Sequence, residues 1–131
     1  KILVFIQNKA MIKRVQNSLR KLDVKCATVT SDGKKTNLTY KTLVEQSLFP
    51  NDVQVILTTS VLSDGINIKN ENNNYECIVV ASPTNSDMFN VDQTRQCANR
   101  FRNLYRSFMI YMQAPKKQEE HLWYIYILTK T

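Results

Sequence analysis

Short apolar runs alternate along the chain with stretches in which apolar residues recur at helical spacing. Residues 2–6 form a continuous apolar run, which is typical of a parallel strand that is covered on both faces. Further runs of strand character occupy residues 24–29, 53–57, 77–81 and 108–112. The pattern therefore predicts strands that are separated by helices or by long connections.

Helical spacing is clearest directly after the first run. Asn8 is a favourable N-cap residue, and the stretch that follows places apolar residues on one side and basic residues on the others. The apolar positions are Met11, Ile12, Val15, Leu19 and Leu22. A second helix is predicted around residues 38–48, and Pro50, which follows it, prevents its continuation.

A third predicted helix carries Gln96 and Arg100 one turn apart, and either Ser86 or Asn90 can cap its N-terminus. The final stretch, residues 118–131, is ambiguous. Its aromatic residues favour a strand, whereas acidic residues near its start suit a helix N-terminus. We predict a helix there.

Strands that alternate with helices in this way favour an α/β domain with right-handed crossovers. We predict a three-layer α/β fold in which helices flank a central, mainly parallel sheet. A chain of 131 residues can bury one core, so residues 1–131 are expected to form a single domain, taken from a larger multidomain protein. Ligands gather at the carboxyl ends of parallel strands, and Asn8 and Thr59 follow two such ends.

Charge indicates the kind of partner to expect, and cysteine content indicates whether a metal site is to be expected. Lys and Arg outnumber Asp and Glu by 18 to 11, and the net charge of +7 favours an anionic partner. Three widely spaced cysteines in apolar contexts indicate reduced core residues, and with a single histidine they predict no metal site. No apolar stretch approaches the ~20 residues of a membrane span. We expect a cytoplasmic protein that does not contact membranes.

The chain lacks the common glycine-rich phosphate loops. Its two glycines, Gly33 and Gly65, are too far apart for the G-x-x-x-x-G-K-[ST] pattern. Residues 33–36 therefore form a basic loop rather than a phosphate cradle. Any contact with a nucleoside triphosphate must be completed by another domain.

Three segments carry the most specific pattern in the chain. Residues 5–9 read Phe-Ile-Gln-Asn-Lys and end the first strand, and residues 59–68 begin with threonine at the end of another. The third segment, residues 96–102, reads Gln-Cys-Ala-Asn-Arg-Phe-Arg. A glutamine and an arginine one helical turn apart suit a surface that faces phosphates.

With these segments, residues 1–112 resemble the second, C-terminal RecA-like domain of superfamily 2 helicases and translocases. Residues 5–9 match the family's motif IV, and residues 59–68 match motif V, T-x-x-x-x-x-G-x-[DN]-[IF], at all four fixed positions. Residues 96–100 match the core of motif VI, Q-x-x-G-R-x-x-R. The order of the three motifs also agrees.

The resemblance implies a nucleic-acid contact at the ends of two strands. A motor of this class holds the sugar-phosphate backbone of DNA or RNA without reading bases, which calls for hydroxyl, amide and backbone N–H donors. The matching residues are Asn8, Lys9, Thr59 and Ser60. Read without the motifs, Asn8 is a helix cap and Thr59 ends a strand.

The resemblance also implies a nucleotide contact. Gly65 lets the chain approach the cleft closely, and Asn67 stands where the family often has an aspartate near the nucleotide sugar. Arg100 is the candidate arginine finger, a role that contributes about 10³–10⁵ in rate in other phosphate-hydrolysing enzymes. Gln96 is expected to position or sense the γ-phosphate.

Motif VI departs from the family pattern at two positions. Asn99 replaces the family's glycine, and Asn103 replaces its second arginine. Arg102 lies one residue before the expected position, so it can serve as a second finger only if the helix ends near Phe101. Arg102 is therefore a secondary catalytic candidate.

Together these features predict the C-terminal motor domain of a nucleic-acid-dependent ATPase. ATP and Mg²⁺ would be bound mainly by an N-terminal RecA-like domain of the same protein, and the isolated chain is expected to be inactive. One alternative is a non-catalytic nucleic-acid-binding module with a degenerate motor fold. Others are the translocase part of a restriction or replication-initiation enzyme, and a flavodoxin-like domain unrelated to motors.

Overall fold

The computed structural model describes residues 1–62, 66–69, 74–81, 89–100, 107–113 and 123–128. The strands are β1 (Ile2–Phe5), β2 (Cys26–Val29), β3 (Val55–Thr58), β4 (Glu76–Ala81), β5 (Ser107–Gln113) and β6 (Trp123–Leu128). The helices are α1 (Lys9–Lys21), α2 (Leu38–Glu45) and α3 (Val91–Ala98), with short 3₁₀ helices at Lys34–Thr36 and Ser60–Leu62.

The six strands form one sheet in the order β2-β3-β1-β4-β5-β6. The first five strands in that order are parallel to one another, and β6 pairs antiparallel to β5 at the edge. The predicted central, mainly parallel sheet is confirmed. Because β1 lies between β3 and β4, the residues that follow β1 and β3 meet at the same edge of the sheet.

Helices cover both faces of the sheet, which confirms the three-layer arrangement. Ile2, Val4 and Ile6 pack in the cluster that contains Ile12 of α1, whereas Leu3 and Phe5 pack in the cluster that contains residues of α2 and α3. Successive strand residues point to opposite faces, so a strand buried on both must be apolar throughout. This explains the continuous apolar run at residues 2–6.

Two of the predicted helix caps are present. Asn8 Oδ1 accepts a hydrogen bond of 3.0 Å from the backbone N–H of Met11. Asn90 and Gln93 form a reciprocal capping box at the start of α3, with bonds of 2.9 and 3.0 Å. Ser86, the alternative cap, lies outside the described residues.

The structure corrects the placement of Arg100 on α3. The helix ends at Ala98, and Asn99 is its C-cap with non-helical backbone angles, φ −101° and ψ 16°. The N–H of Asn99 donates to the carbonyl oxygen of Gln96 at 3.2 Å. Asparagine is a poor helix former and a good capping residue, so it ends the helix before Arg100.

The predicted helix within residues 118–131 is wrong. Trp123–Leu128 forms β6, which pairs with Phe108–Gln113 of β5. Its sequence contains aromatic, isoleucine and leucine residues only, and such residues favour a strand when a neighbouring strand offers a partner. The rest of that range lies outside the described residues. Among the helices that are described, none is long and apolar enough to cross a membrane.

Candidate functional site

The four predicted nucleic-acid-binding residues come together where β1 and β3 end. Phe5 of β1 pairs with Thr58 of β3, and the N–H of Ile6 donates to the carbonyl oxygen of Thr58 at 2.7 Å. The residues that follow these two strands therefore adjoin one another. We call this group the strand-end cluster, and it comprises Gln7, Asn8, Lys9, Thr59 and Ser60.

The side chain of Gln7 joins the two halves of the strand-end cluster. Its Oε1 accepts a hydrogen bond of 3.1 Å from the backbone N–H of Ser60, and its Nε2 donates to Ser60 Oγ at 3.3 Å. Sequence reasoning matched Gln7 to motif IV but gave it no functional role. The available signal was its position, between a buried strand end and the helix cap Asn8.

Members of the strand-end cluster differ in exposure. Asn8 and Lys9 are exposed and Ser60 is half-buried, whereas Thr59 is only 8% exposed. Thr59 Oγ1 accepts a hydrogen bond of 3.5 Å from the N–H of Val61 and so shapes the turn that presents Ser60. The side chains of Asn8, Lys9 and Ser60 are thus better placed than that of Thr59 to touch a large ligand.

The side chain of Lys9 contacts the loop that follows β2. Its Nζ lies 2.9 Å from Asp32 Oδ2 and 3.4 Å from Ser31 Oγ. The loop turns at Gly33, whose φ of 63° is in the left-handed region that favours glycine. Lys34 and Lys35 follow directly, so the basic surface continues from the start of α1 into this loop.

Residues 66–68 and 96–100 form a second group, which we call the bridge cluster. The N–H of Ile68 donates to the carbonyl oxygen of Arg100 at 2.7 Å. The Nη1 atom of Arg100 donates to the carbonyl oxygen of Ile66 at 3.2 Å. The Nε atom of the same side chain donates to the carbonyl oxygen of Gln96 at 2.8 Å. Asn67 and Gln96, both exposed, are thereby brought near Arg100.

The bridge cluster lies against the sheet face that α2 and α3 cover. Ile66 and Ile68 pack in the same core cluster as Leu43 of α2 and Cys97 of α3. Cys97 adjoins the amino-terminal part of β4, because its carbonyl oxygen lies 3.8 Å from Cys77 Sγ. The strand-end cluster and the bridge cluster are therefore distinct regions of the surface.

The bridge cluster offers amide and guanidinium donors, which suit a phosphate or a sugar hydroxyl rather than a cation. Arg100 has five N–H donors, of which Nε and Nη1 contribute to the two bonds above. In the part of the chain that the structure describes, no group of three or more His, Cys, Asp or Glu residues could hold a metal ion. Gly65 and Arg102, which were also predicted to contact the nucleotide, lie outside the described residues.

Comparison of the chain with protein-family models, with curated proteins and with solved structures finds no match. Family membership does not follow from these comparisons. What can be proposed about function comes from the chemistry of the two clusters and from the motif resemblance.

Proposed function

We propose that this chain is the C-terminal motor domain of a nucleic-acid-dependent ATPase, a helicase or translocase that works in the cytoplasm. The observation that carries the proposal is the direct bonding between residues 66–68 and 96–100. These segments match motifs V and VI of superfamily 2 motors, and a motor needs them side by side.

In this proposal the strand-end cluster holds the sugar-phosphate backbone of DNA or RNA. Lys9 supplies a positive charge, and the backbone N–H groups at the start of α1 favour an anion. Asn8 uses its Oδ1 to cap the helix, while its Nδ2 is a hydrogen-bond donor of the kind that a phosphate accepts. None of these groups distinguishes one base from another, as a translocating motor requires.

The bridge cluster would complete an ATP site whose P-loop and Mg²⁺-binding acid come from an N-terminal RecA-like domain. When bound, Mg²⁺ neutralises charge on the phosphates. Arg100 would neutralise the charge that develops on the transferring phosphoryl group, while Gln96 and Asn67 would orient the nucleotide. Arg102 stays a secondary candidate for the same role as Arg100.

One observation favours a second candidate function, a non-catalytic nucleic-acid-binding module. The guanidinium of Arg100 bonds two backbone carbonyls, those of Ile66 and Gln96, so part of its donor capacity is used inside the domain. Asn99 and Asn103 also replace family residues. A module of this kind would bind nucleic acid through the strand-end cluster without supporting hydrolysis.

The first test is whether the chain binds fluorescein-labelled single-stranded DNA or RNA at low salt, followed by anisotropy, together with its ATP turnover. We expect binding that weakens steeply as salt rises, and no ATP hydrolysis by the chain alone. The proposal fails if neither nucleic acid binds at low salt. It also fails if the purified chain hydrolyses ATP above background.

A further inference from the structure

The two faces of the sheet are covered unequally. On the face that α2 and α3 cover, Leu3 and Phe5 of the inner strand β1 are fully buried. On the opposite face, Ile2 and Val4 of the same strand are only half-buried. Among the described helices, α1 alone lies on this face, and it packs over β2 and β3. Part of the apolar surface of this face is therefore accessible beside α1.

An apolar groove of about 450 Å³ lies between α1 and this part of the sheet. Met11, Val15 and Leu19 line it from α1, at positions that share one side of a helix. Ile78 of β4 and Tyr111 of β5 line it from the sheet, and all the other lining residues are valine, leucine or isoleucine. The named residues are all half-buried, so the groove presents accessible apolar surface.

The spacing of the sheet leaves room for one helix beside α1. Packed helices lie about 8–10 Å apart, which corresponds to two strand spacings of about 4.8 Å. Since α1 packs over β3, a neighbouring helix would lie over β4, two strands further along the sheet. The 13 residues of α1 span about 20 Å, so a helix of about four turns would fill the groove alongside it.

Charge selects the kind of helix that fits. Gln16 marks the β2 side of α1, because its carbonyl oxygen lies 3.9 Å from Cys26 Sγ. Arg14 is exposed and lies about 200° around the helix from Gln16, on the side toward β4. Glu76, at the amino end of β4, does not line the groove. A second copy of this chain would bring a net charge of +7 and a basic α1 to this rim, whereas an acidic helix would bring opposite charge.

We propose that this groove binds an amphipathic helix of a partner protein, whose apolar stripe fills the groove and whose acidic residues face Arg14. An apolar helix face that lies in a hydrophobic groove is a recurrent mode of peptide recognition. The groove is on the sheet face opposite the bridge cluster, so this partner would leave the proposed ATP site open. Binding at the groove therefore does not depend on the proposed motor activity.

The test uses a fluorescein-labelled synthetic helix of about 16 residues, with leucines at positions i, i+4, i+7 and i+11 and glutamates beside them. Its affinity for the full chain is measured by anisotropy at about 0.15 M salt, where the Debye length of about 8 Å screens distant charges. We expect saturable binding. A peptide of the same composition in scrambled order, and one with lysine in place of each glutamate, should bind at least about tenfold more weakly.

Matched substitutions in the protein locate the peptide. Val15→Ala removes apolar surface from the groove and should weaken binding about three- to tenfold. The control is Val44→Ala, the same change at an exposed position of α2, which packs on the other face of the sheet. It should change the affinity by less than about twofold. Urea unfolding shows whether each variant is folded, and Met11→Ala replaces Val15→Ala if that variant is not.

A second matched pair tests the charge at the rim. Arg14→Glu should weaken binding of the acidic peptide about three- to tenfold, because it replaces attraction by repulsion. Lys13→Glu makes the same change in net charge on the side of α1 away from Met11 and Val15, and it should have less than about twofold effect.

Three results would overturn the proposal. The first is that the acidic peptide does not bind, or binds no more tightly than its scrambled form. The second is equal affinity in wild type, Val15→Ala and Arg14→Glu. The third is a dimer of the chain in sedimentation that Val15→Ala disperses, because the groove would then be occupied by a second copy. Each of these results leaves the test of nucleic-acid binding unaffected.

Discussion

The backbone N–H of Ile68 donates to the carbonyl oxygen of Arg100 at 2.7 Å and so joins residues 66–68 to the end of α3. The guanidinium of the same arginine returns a bond to the carbonyl oxygen of Ile66 at 3.2 Å. Arg100 thus touches the neighbouring segment through its backbone and its side chain.

Replacing Arg100 should affect stability as well as activity. Arg100→Ala removes the side-chain bonds to Ile66 and Gln96, and we expect the free energy of unfolding to fall by about 1–3 kcal/mol. Urea unfolding of the chain measures this change. Arg20→Ala, at an exposed position in the last turn of α1, is the control and should change the free energy by less than about 0.5 kcal/mol. Equal losses of stability in the two variants would contradict the claim that the side-chain bonds of Arg100 stabilise the domain.

Lys9 and Asp32 should affect nucleic-acid binding in opposite directions. Lys9→Ala removes a charge from the strand-end cluster, so it should weaken binding and lower the magnitude of the salt slope by about 1. Asp32→Asn removes the carboxylate that competes with phosphate for Lys9, so it should strengthen binding. Anisotropy titrations over a range of salt concentrations measure both effects.

The matched control for Lys9 is Lys13→Ala, one turn later on α1 and also exposed. It removes the same charge outside the strand-end cluster. If Lys13→Ala weakens binding as much as Lys9→Ala does, the loss of affinity reflects the general positive charge of α1. That result would contradict a specific contact at Lys9.

Asn8 allows the capping role to be separated from the ligand-binding role. Asn8→Asp keeps a side-chain oxygen for the N–H of Met11 and should leave the free energy of unfolding within about 0.5 kcal/mol of wild type. It should nevertheless weaken nucleic-acid binding, because it replaces the Nδ2 donor with a negative charge. Asn8→Ala should lower the free energy of unfolding by about 1 kcal/mol. Unchanged affinity in Asn8→Asp would exclude Asn8 from the interface.

Most of the strands of the sheet and their alternation with helices could be predicted from the sequence, because strands buried on both faces are apolar throughout. Asn8 marked the start of α1, whereas the sequence left Ser86 and Asn90 as alternative caps for α3. The end of α3 could not be predicted, because Gln96 and Arg100 have helical spacing while Asn99 stops the helix between them. The strand at Trp123–Leu128 was missed because its pairing with β5 is a tertiary interaction. The role of Gln7 depends on Ser60, far away in the sequence, so no local pattern reveals it.

Lys1 should contribute to stability away from the candidate site. Its Nζ donates to the carbonyl oxygens of Pro50 and Val53 at 2.6 and 2.8 Å, so we expect Lys1→Met to lower the free energy of unfolding by about 1–2 kcal/mol at neutral pH. Burial lowers the pKa of the Lys1 ammonium, and the Asp52 carboxylate opposes that shift. The unfolded chain therefore binds this proton more tightly than the folded chain.

It follows that wild-type stability should rise, relative to Lys1→Met, as the pH increases through the lowered pKa of Lys1. Urea unfolding of both proteins at neutral and alkaline pH measures the difference. Lys13→Met serves as the control, since Lys13 is exposed on α1. A difference between wild type and Lys1→Met that shrinks at alkaline pH would contradict this account of the Lys1 environment.

The most direct test of the motor proposal is nucleic-acid-stimulated ATP hydrolysis by a protein that joins this domain to the N-terminal RecA-like domain that the proposal requires. The comparison is between wild type and Arg100→Ala. We predict that wild-type turnover rises on adding single-stranded nucleic acid. Arg100→Ala should lose on the order of 10³ in turnover while it stays folded and still binds nucleic acid. A wild-type protein that binds nucleic acid but shows no stimulated hydrolysis would contradict the motor proposal and favour the binding module.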